Sequence, residues 1–181
     1  MDRIERIFST NVLGMVSAMK AVIPAMRKRG SGAIINVSSI GGNLAFPTGS
    51  LYHGTKFAVE GLSEALFFEL DAIGVRMRII EPGFVETNFG GAGFDRGFDE
   101  TLTEYSDVSA GTGRMFASLA TSRAQPDAVA DVIWQAANDP SDQLRYLVGE
   151  DEAVRLCRER GQMTDAEFIA DLKQRMQGSD A

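Results

Sequence analysis

Cysteine, histidine and tryptophan each occur once in the 181 residues. A single cysteine, Cys157, excludes an intramolecular disulfide, and no Cys/His spacing suggests a metal cluster. A reducing, cytoplasmic setting is therefore expected. Cys157 lies in VRLCRERG without a basic partner fixed by spacing, so it reads as a packed helix residue, not a nucleophile. No run approaches ~20 apolar residues, so no membrane span is expected. The opening MDRIERIFSTN lacks the basic-then-apolar order of a secretory signal. Positive charge is the scarcer sign: 18 Lys and Arg against 25 Asp and Glu leave a formal net charge of −7. That balance disfavours nucleic acid or an anionic membrane as partner. The triplet Arg27, Lys28, Arg29 reads as the cationic end of a helix. Repeats and low-complexity tracts are also missing.

What is present reads as one domain over 1–181, with enough apolar residues (44 %) for a core. Ile4, Ile7, Phe8, Val12, Met15, Val16 and Met19 recur at helical spacing, predicting a helix over 2–28 that Pro24 loosens. AIINVSS at 33–39 predicts a buried strand, and a glycine-rich loop follows. A helix over 51–72 comes next, with a small-residue track at Ala58, Gly61 and Ala65. VRMRIIEPG at 75–83 predicts a second strand. Residues 84–122 read as a glycine-rich lid with a short helix near 114–120. PDAVADVIWQAAND predicts a helix with Trp134 in the core, LRYLVG at 144–149 a third strand, and helices near 150–160 and 165–176 close the chain. Thr164 and Glu167 form a capping box before the last of these. Helices alternating with β-branched strands imply an α/β fold: a mostly parallel sheet with crossover helices in three layers. Ligands in such sheets bind outside the carboxyl ends of strands.

Chemistry-bearing residues collect at those ends. Tyr52 and Lys56 are four apart and share a helix face. An ammonium beside a phenol favours the phenolate, which tunes tyrosine for proton exchange with an alcohol or carbonyl oxygen. A surface Tyr/Lys pair, with the lysine stem over the ring, has the same spacing. Ser38 and Ser39 end the first strand, where a serine can donate to substrate oxygen or simply cap a turn. Asn11 interrupts its helix in FSTNVLG. It either faces solvent or bends the helix and holds a water.

Four pieces in order, NVLG at 11–14, IINVSSIGG at 34–42, YHGTK at 52–56 and EPGFVETNF at 81–89, resemble the short-chain dehydrogenase/reductase family. The family's serine lies about thirteen residues before its tyrosine, which selects Ser39, and its asparagine about twenty-eight before that, which selects Asn11. The resemblance implies a Rossmann-like fold and NAD- or NADP-dependent hydride transfer between a secondary alcohol and a ketone or aldehyde. By the same resemblance Tyr52 is the acid/base. Lys56 lowers the tyrosine's pKa and holds the nicotinamide ribose, Ser39 polarises the carbonyl, and Asn11 positions a relay water. Pro82 and Gly83 then pass beside the nicotinamide, Val85 meets its carboxamide through the backbone, and Thr87 binds the carboxamide or pyrophosphate. His53 reads as a wall or surface group.

The resemblance covers the last two-thirds of a family domain. The family's first strand, its glycine-rich pyrophosphate turn and the acidic or basic selector of NAD against NADP have no counterpart before Asn11. A truncated Rossmann-like domain with weak dinucleotide binding and an open edge beside AIINVSS is expected. The alternative is a non-catalytic truncated relative, an interaction protein or pseudoenzyme. Leu44, Phe46, Phe84, Phe89 and Phe94 are candidates to line an apolar pocket for a small-molecule alcohol or carbonyl. Helices 2–28 and 51–72 are the expected homo-oligomer contacts.

Overall fold

The computed structural model describes residues 2–90 and 101–178. Three parallel strands form one sheet in the order β1 (Gly32–Val37), β2 (Val75–Pro82), β3 (Arg145–Val148). Val37 pairs with Ile80, and Pro82 with Val148. The amide of Ser38 continues the ladder to the Ile80 carbonyl at 2.8 Å.

Helices cover both faces, as alternating strands and helices require. On one side lie α2 (Gly14–Arg29) and α3 (Ser50–Asp71), and Met19, Ile34, Leu70, Val75 and Met77 pack there. On the other lies α5 (Pro126–Asn138), packed on Ile80, Tyr146 and Val148 through Val129, Val132, Ile133 and Ala136. These positions form the sheet-facing stripe of α5. Trp134 falls outside it and is 73 % exposed, against the expectation of a core residue. The central strand carries a buried arginine. Arg78 donates to the carbonyls of Ser141 (2.6 Å) and Asp139 (3.2 Å), and Arg76 donates to those of Asp139 and Ala137. Both guanidiniums thus cap the carboxyl end of α5, where cations are favoured.

The first predicted helix is not uniform. α1 (Arg3–Phe8) and α2 are joined by a π-helical turn at Ser9–Leu13 that contains Asn11. The helix then runs unbroken through Pro24 to its basic last turn. Within Arg3–Arg29 an 18-residue stretch reaches a mean hydropathy of 1.3, which meets a length and composition test for a membrane span, although the sequence shows no unbroken apolar run of that length. A helix that covers a sheet meets the same test, and Met15, Val16, Met19, Ile23 and Met26 pack on β1 and β2 in that way. Its outer residues Ile4, Leu13 and Val22 are exposed, as are Phe57, Leu62 and Phe68 of α3.

The lid region is more helical than expected. α4 spans Ser106–Leu119, replacing the short helix expected near 114–120. Phe94 and three of the lid glycines, Gly91, Gly93 and Gly97, lie outside the described residues. α6 (Glu152–Glu159) and α7 (Asp165–Gln177) close the chain, the last with the capping box of Thr164 and Glu167 in place. Leu44, Phe46, Met115, Leu119, Val154 and Phe168 form a third core cluster beneath the carboxyl ends of the strands. Leu44 (1 % exposed) and Phe46 (8 %) are therefore packing residues; the pocket expected from them is filled core.

A candidate active site at the carboxyl ends of the strands

Ser39 follows β1 by two residues and caps a 3-10 turn, Ile40–Gly42. Its Oγ accepts from the Gly41 amide at 3.0 Å and donates weakly to the Pro82 carbonyl at 3.4 Å. The Ser39 hydroxyl also faces the Tyr52 phenol and favours its ionised form. Two strand ends and one helix start therefore meet at a single serine.

Tyr52 stands in the first turn of α3. Burial pushes its phenol above the ordinary value, and the Ser39 hydroxyl acts against that rise. This differs from the expected lowering by Lys56. The reason is geometric: the Lys56 ammonium sits 5.8 Å from the ring centroid and donates to the Val37 carbonyl at 3.1 Å. Burial also pulls Lys56 below its ordinary value, while Glu60 pushes it back up. The side chain therefore lies under the ring, and its charge is spent on the strand-end carbonyl.

Asn11 is brought to the same corner. Its Nδ2 donates to Thr55 Oγ1 at 3.0 Å, and Thr55 donates to the Tyr52 carbonyl at 2.7 Å. The π-helical turn is what aims Asn11 at α3, and such single turns recur at functional sites.

The segment after β2 is held from two sides. Gly83 donates to the Val148 carbonyl at 2.9 Å, and a Cβ on it would come within 2.4 Å of Val154 Cγ2. The buried Asp151 accepts from the Phe84 amide (3.0 Å) with one oxygen and from the Val154 amide (2.9 Å) with the other. Val85 bridges Ala124 in parallel, using the Phe84 carbonyl and the Glu86 amide. Strand alternation then turns the amide and carbonyl of Val85 itself to the opposite side. Thr87 accepts from the Phe89 amide at 3.3 Å, and the Phe89 ring stands 5.8 Å from that of Tyr52.

Sequence reasoning missed a buried acidic group behind this corner. Glu60 and Glu81 are 5 % and 4 % exposed and share Arg145, at 3.0 and 3.3 Å. Asn43 donates to Glu81 at 2.8 Å. Burial, with the neighbouring Glu60 carboxylate, raises Glu81 to about 7 despite Asn43 and Arg145. The signals were available: Tyr52, Lys56 and Glu60 recur every four residues, and Glu81 is a charge inside an apolar strand. His53, read as a wall or surface group, is buried. Among the described residues no group of three potential metal ligands gathers.

A sequence profile of the short chain dehydrogenase family matches residues 1–95. An uncharacterized oxidoreductase of Schizosaccharomyces pombe is 42 % identical over 175 residues, covering 97 % of this chain and 72 % of the yeast protein. The crystal structure of a short-chain dehydrogenase from Streptomyces avermitilis superposes with a TM-score of 0.68 at 29 % identity, over 96 % of this chain and 61 % of that one. ElxO with NADP bound superposes with a TM-score of 0.56 at 28 % identity, over 76 % of this chain and 53 % of that one.

Proposed function

Because this chain belongs to the short-chain dehydrogenase family, we propose that it takes part in NAD- or NADP-dependent interconversion of a secondary alcohol and a ketone or aldehyde. The observation that carries this reading is the meeting of Ser39, just past β1 with its Oγ 3.4 Å from the Pro82 carbonyl, and Tyr52 in the first turn of α3. It puts a proton-exchanging phenol and a hydroxyl donor at one point outside the strand ends.

The described residues fit the nicotinamide end of a dinucleotide. Val85 turns its backbone amide and carbonyl away from the Ala124 bridge, a donor and acceptor pair suited to a carboxamide. NADP on the similar ElxO fold supports the same choice. The nicotinamide, when bound, accepts or supplies the hydride. Ser39 then orients the substrate oxygen by donating to it. Tyr52 takes the proton from an alcohol or returns one to a carbonyl oxygen. Lys56 supplies a nearby cation and a donor for a ribose hydroxyl, and Asn11 braces the first turn of α3 through Thr55. Pro82, Gly83 and Thr87 set the path of the segment beside the ring. Phe89, beside Tyr52, favours an apolar substrate. Cys157, its thiol pushed up to about 12 by burial, stays unreactive and suits a cytoplasmic setting.

A second reading is a non-catalytic interaction protein or pseudoenzyme. The exposed apolar residues of α2 and α3 favour it, and they equally favour homo-oligomer contacts through helices 2–28 and 51–72. Nicotinamide fluorescence of the purified chain, with NADH and NADPH added separately, discriminates the readings. Saturable binding supports the oxidoreductase; its absence from a folded sample favours the second reading.

A further inference from the structure

His53 follows Tyr52 directly, yet its ring is buried. It is 6 % exposed, and both nitrogens are engaged. Nε2 accepts from the Phe46 amide at 3.0 Å, so it carries no proton. Nδ1 therefore carries it and donates to the Gly41 carbonyl at 2.9 Å. The backbone of His53 adds a third tie, its amide donating to the Gly49 carbonyl at 2.9 Å. The loop is built to meet this ring at contact distance. A Cβ on Gly41 would lie 3.0 Å from Nδ1, and one on Gly49 would lie 2.9 Å from Cδ2. Phe46 packs its edge against the ring at 5.7 Å between centroids. Between the two anchored arms, Thr48 holds φ at 66°, a left-handed conformation that a β-branched residue adopts only under restraint.

We propose that His53 is a positioning residue, clamping the 41–49 loop onto the start of α3 so that Ser39 stays aimed at Tyr52. The contacts run in series: His53 to the Gly41 carbonyl, then the Gly41 amide to Ser39 Oγ, whose hydroxyl faces the Tyr52 phenol next to His53 in the chain. The ring of His53 also packs edge-on against Tyr52, with 5.6 Å between centroids. Releasing the Gly41 carbonyl frees the turn that aims Ser39. The neutral ring suits these contacts, because an imidazolium would set a second donor against the Phe46 amide. Burial pulls the imidazole in the same direction, below its ordinary value, while the Gly41 and Leu44 carbonyls act the other way. This inference rests on the reading of Ser39 and Tyr52 as the reacting pair.

The test uses the full chain, and its single histidine makes the imidazole signals unambiguous. Nitrogen NMR at neutral pH should find the ring protonated at Nδ1, the opposite of the tautomer that prevails for free histidine. An Nε2-protonated or averaging ring overturns the clamp, whatever the activity. The second readout is the phenol carbon of Tyr52, identified by its loss in Tyr52→Phe. In His53→Ala the Tyr52 titration should move upward by about one pH unit, because Ser39 no longer favours the phenolate. His53→Asn keeps a donor at the Nδ1 position and should return most of that shift. A Tyr52 titration unmoved in a folded Ala variant, or moved equally in both variants, overturns the proposal. If both spectroscopic results hold while neither NADH nor NADPH binds, the clamp stands and the oxidoreductase reading falls.

Discussion

Asn11 and Thr55, 44 residues apart in sequence, meet at 3.0 Å, and the Thr55 hydroxyl passes the contact on to the Tyr52 carbonyl at 2.7 Å. One hydroxyl thus accepts from the π-helical turn and donates into the first turn of α3. Replacing it tests whether Asn11 braces the site. Thr55→Val keeps the shape, leaves Asn11 Nδ2 without this partner, and should cost about 1–3 kcal/mol in chemical denaturation. A double-mutant cycle with Asn11→Ala should return a coupling of about 1 kcal/mol. Strict additivity would mean the contact is idle.

Tyr52→Phe removes the hydroxyl proposed to exchange the proton and leaves the ring, which touches His53 and Phe89, in place. Turnover of secondary alcohols with NAD or NADP should fall by roughly 10²–10⁴-fold while the thermal midpoint stays within a few degrees. Retained turnover would move the acid/base role elsewhere.

Glu81 gives stability a pH dependence of definite sign. Its folded value of about 7 lies above the ordinary 4.5. In the unfolded chain the carboxyl ionises first, so the folded state binds more protons between those two values. Its contribution is fully present below pH 4.5 and is lost as pH rises through about 7. Thermal midpoints should fall from pH 5 to pH 8, and Glu81→Gln should flatten that slope. His53 works oppositely: its folded value is depressed, so its contribution is present above pH 6.5 and lost as pH falls. The Gln variant should therefore expose a decline on the acid side.

Asp151 serves two amides with two oxygens, those of Phe84 and Val154. Asparagine offers one oxygen and an amide that faces a donor. Asp151→Asn should cost about 1–3 kcal/mol and free the segment after β2. Equal stability of the two proteins would show that water replaces the second bond.

Gly61 lies between Ala58 and Ala65 on α3, and a Cβ there would meet nothing within 4 Å. Gly61→Arg should leave the monomer as stable or raise it by up to ~1 kcal/mol, because glycine is a poor helix former. If α3 packs against a second copy, the same substitution abolishes association in sedimentation velocity. A bulky side chain without effect on oligomeric state would move the contact elsewhere.

Much of the fold was legible because it is local. Periodic apolar residues marked the helices, β-branched runs marked the strands, and Thr164 with Glu167 marked a helix start to the residue. Trp134 misled because bulk suggests burial, whereas the neighbouring Val132, Ile133 and Ala136 fix which side of α5 faces the sheet. Leu44 and Phe46 misled because they sit in a glycine-rich loop, and the cover that buries them comes from the distant α4, α6 and α7. Motif spacing picked out Asn11, Ser39, Tyr52 and Lys56, and the structure gathers them at one corner. It did not reveal that Lys56 turns to a carbonyl or that Asn11 acts through Thr55. Glu60, Glu81, Arg145 and Asp151 come from separate elements, and their meeting depends on the sheet.

Ser39 and Pro82 each follow the paired residues Val37 and Ile80 by the same two positions. The serine hydroxyl and the proline carbonyl are thus the next rung of the strand ladder, made by a side chain. The sheet serves as the ruler of the site. One residue added to β1 after Val37 would carry Ser39 forward by ~3.3 Å and reverse its side. If Ser39 acts as proposed, the spacing between strand and serine is as much a part of the chemistry as the serine itself, and a length change there should abolish turnover while every group of the proposed site remains in the chain.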